Sequence, residues 1–177
     1  MKKIELKFGN VTRKKIATPN DFVSHMIEHI AWRMGTEIKL ELDDESWLEL
    51  GRALGESIMG ISKAGINSPK QKVFVALGAI DDGTAKVKID FNRKAGFEIS
   101  GAGNVDINAF LKMRCEQIKD GRPLIEILKG LANKLNAKIE VVALNLKDPH
   151  HTWEGIFRTI GICMQKAFLP VSKKIDL

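Results

Sequence analysis

The chain has 177 residues, 44% of them hydrophobic and 28% charged, with a formal net charge of +6. That length fits one domain, or two small halves sharing a core, and the composition excludes a disordered or fibrous chain. No apolar run reaches the length of a membrane span, and the opening "MKKIELKFGN" alternates like a strand, so neither a spanning segment nor a signal peptide is expected. The two cysteines, Cys115 and Cys163, lack metal-type spacing and read as reduced, mostly buried thiols of a cytoplasmic protein. The positive charge favours an anionic partner, either nucleic acid or a phosphorylated metabolite. With no tyrosine and few aromatics there is no interleaved basic and aromatic stripe for stacking bases.

In chain order, "KIELKF" at 3–8 alternates as a strand. A helix follows, with Asn20 or Asp21 as N-cap, Phe22, Met26, Ile30 and Met34 on one face, and Gly35 as C-cap. "TEIKLEL" is a strand. "DDESWLELGRALGESIMGI" is a second amphipathic helix that Asp43 or Asp44 can cap. "QKVFVALGAI" and "AKVKIDF" are strands around the turn "DDGT", and "GFEIS" is another strand. "NVDINAFLKMRCEQIKDG" and "RPLIEILKGLANKLN" are helical, the latter with Pro123 in its first turn. "AKIEVVALNL" is a strand. The last long helix is "DPHHTWEGIFRTIGICMQKAF", with Asp148 as N-cap and Pro149 at its first position.

The chain also repeats itself. When the segment from His25 is laid over the segment from Glu126, Ala31 meets Ala132 and Ile38 meets Ile139. When "DESWLELGRALGESI" from Asp44 is laid over "HHTWEGIFRTIGICM" from His150, Trp47 meets Trp153, Arg52 meets Arg158 and Gly55 meets Gly161. The second copy carries a few extra residues before its last helix. The expected fold is α+β, a single 1–177 domain of two pseudo-repeated halves. The halves are about 1–80 and about 81–177. Together they form a two-layer domain with a mostly antiparallel, continuous sheet and helices on one face.

The repeat sets His150 and His151 against Asp44 and Glu45, Glu154 against Leu48, and His25 against Glu126. All but Leu48 are able to ligate a divalent cation, and His150 and Glu154 share a helix face. A mixed imidazole and carboxylate shell suits manganese, iron or zinc. His29 stands one turn after His25. Alone, that pair reads as solvated helix surface, and "HMIEH" lacks the glutamate of a zinc-protease motif.

"FVSHMIEHIA", "DPHHTWEGIFRTIG" and "LPVSKKIDL" together resemble the imidazoleglycerol-phosphate dehydratase family. That family is an internal duplication with two His-His-x-x-Glu segments. The resemblance implies a manganese-dependent lyase of histidine biosynthesis, with metals shared between subunits of a trimer or larger homo-oligomer. It assigns His25, Asp44, Glu45, Glu126, His150, His151 and Glu154 to the metals, with Glu154 and Glu45 as catalytic carboxylates. One metal would use His25, Glu45 and His151; the other would use Asp44, Glu126, His150 and Glu154. It assigns Lys63, Arg93, Lys94, Ser172 and Lys174 to the substrate phosphate, for which such donors are suited. The first family segment is here Asp44-Glu45-Ser46-Trp47-Leu48, and the residue before the first-helix histidine is Ser24.

Three readings follow. The first is the lyase, acting on a small phosphorylated imidazole. The second is a divergent relative with reduced or different activity that keeps the assembly and a metal. The third, motivated by charge alone, is a basic RNA-binding module, and it ranks last.

Overall fold

A computed structural model of the chain describes residues 4–8, 14–63 and 72–168. The first half runs β1 (Ile4–Phe8), β2 (Lys14–Ala17), α1 (Asp21–Met34), β3 (Thr36–Glu41) and α2 (Trp47–Lys63). The second runs β4 (Val73–Ile80), β5 (Gly83–Asp90), β6 (Gly96–Gly101), α3 (Ile107–Lys112), α4 (Arg122–Leu135), β7 (Lys138–Ala143) and α5 (Pro149–Phe168).

Local chemistry sets most of the boundaries. The Asn20 side chain accepts the Val23 N–H to open α1, and Gly35 closes it at φ 69°. Its repeat partner Asn136 closes α4 in the same left-handed conformation, at φ 50°. Asp148 Oδ1 accepts the His150 and His151 N–H groups, at 2.7 and 3.1 Å, so the first turn of α5 is capped by a carboxylate.

Two elements differ from expectation. Asp44 does not cap α2; it accepts the Ser46 N–H at 3.0 Å in a tight turn, and the helix opens at Ser46, whose carbonyl takes the Leu50 N–H. The helical pattern at 104–121 yields only the short α3. Beyond it, Cys115 and Ile118 exchange backbone hydrogen bonds across a turn that holds Glu116 at φ 50°. A left-handed residue there breaks any continuing helix.

The strands form two sheets, β1-β3-β2 and β4-β5-β7-β6, rather than one continuous sheet. The halves meet through their helices, α1 along α5 and α2 along α4, which leaves each sheet its own two-layer unit. Antiparallel pairs predominate, but β2 runs parallel to β3 and β6 parallel to β7. These two parallel strands extend the duplication. In each copy a strand precedes the first helix and pairs parallel to the strand after it, while an earlier strand pairs antiparallel. Thus β1, β2 and β3 match β5, β6 and β7, and β4 adds an edge strand to the second copy. The change of sheet falls between α2 and β4, ahead of residue 80.

The two helix crossings are related by the same symmetry. A Cβ on Gly161 would stand 2.8 Å from the Ile30 carbonyl oxygen and 2.8 Å from Arg33 Cβ. A Cβ on Gly55 would stand 3.3 Å from the Leu131 oxygen and 2.9 Å from Lys134 Cβ, the repeat equivalents. The repeated tryptophans are both buried. Trp153 packs against Phe110 with ring centroids 4.8 Å apart. Burying an aromatic of this size contributes roughly 1.5–3 kcal/mol. Cys115 and Cys163 are buried and unpaired, and burial pushes both thiols up to about 12.

Candidate metal centre

The α1–α5 crossing carries the chemistry. Helical spacing stacks His25 over His29 on α1 and His150 over Glu154 on α5, and the crossing turns these faces toward each other. Glu154 Oε1 is the meeting point. It lies 2.6 Å from His25 Nε2, 3.1 Å from His29 Nε2 and 3.2 Å from His150 Nε2. The His25 and His29 Nε2 atoms are 3.4 Å apart. Glu154 and His29 are buried, while His25 and His150 are partly open to solvent.

His29 is therefore not the solvated helix residue that its spacing suggested. It faces Glu154 in the interior because α5 covers that side of α1. The i, i+4 spacing to His25 was the signal, and only the opposing helix gave it meaning.

The far ring nitrogen of His150 is also held: Nδ1 lies 3.2 Å from Glu116 Oε1, whereas His25 Nδ1 lies 3.8 Å from Glu28 Oε2, beyond hydrogen-bond reach. A carboxylate on the far nitrogen fixes the tautomer that leaves Nε2 free as a ligand. His29 Nδ1 is buried without a hydrogen-bond partner among the described residues. Burial, then the neighbouring His25, holds the His29 pKa below its ordinary value despite the pull of Glu154. Burial raises the Glu154 pKa, but hydrogen bonds from His25 and His29 and the charges of His29 and His150 outweigh it, and the net shift is downward. A carboxylate oxygen with three imidazole Nε2 atoms within 3.2 Å is a donor set suited to a divalent transition metal, which would take the place of the protons on those nitrogens.

His151 points elsewhere. Its Nδ1 lies 2.7 Å from Asp82 Oδ1, and its Nε2 lies 3.7 Å from Asp81 Oδ2. The hydrogen bond to Asp82 raises the His151 pKa most, ahead of the charges of Asp148, Asp82 and Asp81. Both aspartates form the tip of the β4–β5 hairpin, the turn anticipated at "DDGT". Among the described residues, two donor groups are each mutually within 4.8 Å: His25, His29 and Glu154, and Asp81, His151 and Glu154.

Glu45 and Glu126 come together away from the imidazoles. They line a cleft of about 460 Å³ with Asn20, Trp47, Lys119 and Arg122. Asp44 is exposed and engaged by Ser46, the largest influence holding its carboxyl below the usual range. Hence, within one chain, His25 joins His150 and Glu154, while Asp44, Glu45 and Glu126 stand apart from them. At the symmetry-related α2–α4 crossing Leu48 replaces Glu154 and Gly130 replaces His29. A Cβ on Gly130 would lie 2.1 Å from the Leu48 carbonyl oxygen, so those backbones are too close for a ligand cluster between them.

Of the phosphate candidates, Arg93 is exposed and paired with Glu140 at 2.8 Å, and Lys94 is exposed. Lys63 is the last residue of α2; its side chain, Ser172 and Lys174 lie outside the described residues.

A family model described as imidazoleglycerol-phosphate dehydratase matches residues 18–164. Among curated relatives, the imidazoleglycerol-phosphate dehydratase of Pyrococcus furiosus is 25% identical, over 86% of this chain and 82% of its own. That of Burkholderia multivorans is 23% identical, over 93% and 83%. A crystal structure of the Pyrococcus furiosus protein superposes with a TM-score of 0.70 at 23% identity, covering 93% of this chain and 88% of that one. The Staphylococcus aureus structure gives 0.72 at 16% identity, covering 93% and 92%. At these identities the structures speak for the fold.

Proposed function

This chain belongs to the imidazoleglycerol-phosphate dehydratase family, and from that premise we propose that it is a metal-dependent hydro-lyase of histidine biosynthesis. It would remove water from imidazoleglycerol phosphate to give imidazole-acetol phosphate. The observation that carries this reading is the convergence of His25, His29 and His150 Nε2 on Glu154 Oε1.

These four residues would hold a divalent ion, with manganese as the preferred occupant. A bound ion there supplies Lewis acidity and an anchor for the substrate's imidazole, which makes the adjacent C–H easier to deprotonate. The protein's own part is to keep Glu154 ionised and His29 neutral, with His150 oriented by Glu116. Glu154 and Glu45 are the carboxylates we assign to proton movement. Glu45, Asp44 and Glu126 stand away from the imidazoles of their own chain, which supports a site completed by another copy in a trimer or larger homo-oligomer. Lys63, Arg93, Lys94, Ser172 and Lys174 remain the donors proposed for the phosphate. No described helix is long and apolar enough to cross a membrane, and a cytoplasmic location is proposed.

A second reading is favoured by Leu48 and Gly130. With one crossing stripped of ligands, the chain would retain a metal and the assembly but turn over this substrate slowly, or use another. Nucleic acid is a poor partner, because the chain has no tyrosine and few aromatics on which bases could stack.

Turnover of imidazoleglycerol phosphate by the manganese-loaded protein, with and without chelator, tests the assignment. Chelator-sensitive turnover supports the lyase. Bound metal without turnover supports the second reading, and a protein that binds no metal removes both.

A further inference from the structure

The edge of the second sheet at β4 is unguarded. Sheet edges are ordinarily blunted by charge, proline or short length, because their outward N–H and C=O groups pair readily with another strand. Among the described residues the other three edges follow this rule. The sequence of β1 includes Glu5 and Lys7, that of β2 Lys14 and Lys15, and that of β6 Glu98. β4 runs for 8 residues, "VFVALGAI", with neither charge nor proline.

The hairpin fixes which groups face outward. Ile80 and Gly83 close a two-residue turn through Asp81 and Asp82, so Phe74, Ala76, Gly78 and Ile80 exchange hydrogen bonds with β5. The Phe91 N–H donates to the Lys72 carbonyl in the same phase. The backbone groups of Val75, Leu77 and Ala79 therefore point away from the sheet. Their side chains stand on its outer face, where Leu77 is 65% and Val75 45% exposed. Lys166 of α5 reaches this edge and donates to the Val75 carbonyl at 3.0 Å, which leaves that oxygen a second lone pair. The hairpin is held firmly. A Cβ on Gly83 would lie 1.9 Å from the His151 carbonyl oxygen, and one on Gly155 would lie 2.9 Å from the Gly83 oxygen, so the hairpin and α5 are in backbone contact.

Charge selects the partner. Lys72 precedes β4, and Asp81 and Asp82 follow it. A strand with a cation at its start and anions at its end complements itself when laid antiparallel, because each start meets the other's end. A parallel copy would set like charges together.

We infer that β4 pairs antiparallel with β4 of a second copy about a two-fold axis at Leu77, so that two 4-stranded sheets become continuous. In this register Leu77 lies opposite its own copy, Val75 opposite Ala79, and Lys72 opposite Asp82. Every outward group of Val75, Leu77 and Ala79 then has a partner, and the exposed Val75 and Leu77 side chains are covered. The contact uses none of the residues assigned to the metal or the phosphate, so it stands or falls apart from the lyase reading.

The test is cysteine cross-linking of the full-length protein, whose own Cys115 and Cys163 are buried. Residues opposed in a hydrogen-bonded antiparallel pair have Cα atoms about 5.5 Å apart, within disulfide reach. Under mild oxidation Leu77→Cys should give a product of doubled mass on a non-reducing gel. Val75→Cys alone should stay a single chain, and the double variant Val75→Cys, Ala79→Cys should cross-link again. Leu77→Lys should reduce the solution mass to that of a smaller assembly. In that variant the Val75, Leu77 and Ala79 amides, protected from hydrogen exchange in the wild type, should exchange rapidly. Unchanged far-ultraviolet dichroism verifies that the variants fold. Absence of the Leu77→Cys product, equal cross-linking by Leu77→Cys and Val75→Cys alone, or a mass unmoved by Leu77→Lys overturns the pairing.

Discussion

His25 Nε2 and Glu154 Oε1 stand 2.6 Å apart across 129 residues of chain. Each is supplied by a different copy of the repeat, so the duplication is what builds the site. Replacing Glu154 with Gln keeps the shape but removes the charge on which three imidazoles converge. Metal affinity should fall by more than the ~10–100-fold typical of outer partners, and any metal-dependent turnover should fall with it. Calorimetric Mn2+ titration checks this; an unchanged affinity would remove Glu154 from the ligand set.

Glu116 comes from the turn after α3, and it meets His150 Nδ1 at 3.2 Å. Its neighbour Gln117 accepts the Asp21 N–H and donates to the Asp21 carboxylate at the start of α1. The turn thus ties together the starts of both ligand-bearing helices. Glu116→Gln should weaken Mn2+ binding about 10–100-fold while moving the thermal midpoint of the stripped protein little. A large midpoint shift with unaltered affinity would assign Glu116 to the fold instead.

The α2–α4 crossing predicts a stability effect independent of metal. Gly130→Ala drives a Cβ into the Leu48 carbonyl, and Gly51→Ala drives one to 2.0 Å from the Ile127 oxygen. Each should cost about 3 kcal/mol, the upper part of the range for overpacking. For a chain of this size that lowers the melting temperature by roughly 6–12 °C. Gly60 is the control, since a Cβ there meets nothing within 4 Å. Gly60→Ala should stabilise α2 by roughly 0.5–1 kcal/mol through helix propensity. Equal effects at Gly60 and Gly130 in thermal melts would contradict the close crossing.

The stripped protein should lose stability as pH falls. His29, facing His25, Glu154 and the charge of Arg158, has its pKa lowered from 6.5, chiefly by burial. The unfolded chain therefore takes up that proton first, and stability declines as pH drops below 6.5 towards the lowered value. Glu154 is lowered from 4.5, so its contribution is present above that value and is lost as pH falls through the folded one. His151 is raised, so its contribution is present below 6.5 and is lost as pH rises through the folded value; its exposure keeps that effect small. Urea unfolding at a series of pH values should show both declines. His29→Gln should flatten the upper one and Glu154→Gln the lower; profiles that superpose on wild type would refute the assignment.

The sequence by itself determined both ends of α1, the start of α5, the duplication, and the His150–His151–Glu154 triplet. Asn20, Gly35, Asp148 and Pro149 act on backbone groups within a few residues, and i, i+4 spacing needs only a helix. Family membership was legible from the same short segments. The tertiary structure alone decided which donors meet. His29 became a ligand candidate because α5 covers its face of α1. Asp81 and Asp82 became partners of His151 because glycines at 83 and 155 let a hairpin touch a helix start. Glu45 and Glu126 were drawn to a separate cleft because Gly51 and Gly130 bring α2 and α4 into backbone contact. These placements depend on how closely distant backbones pass, and no spacing along the chain encodes that distance.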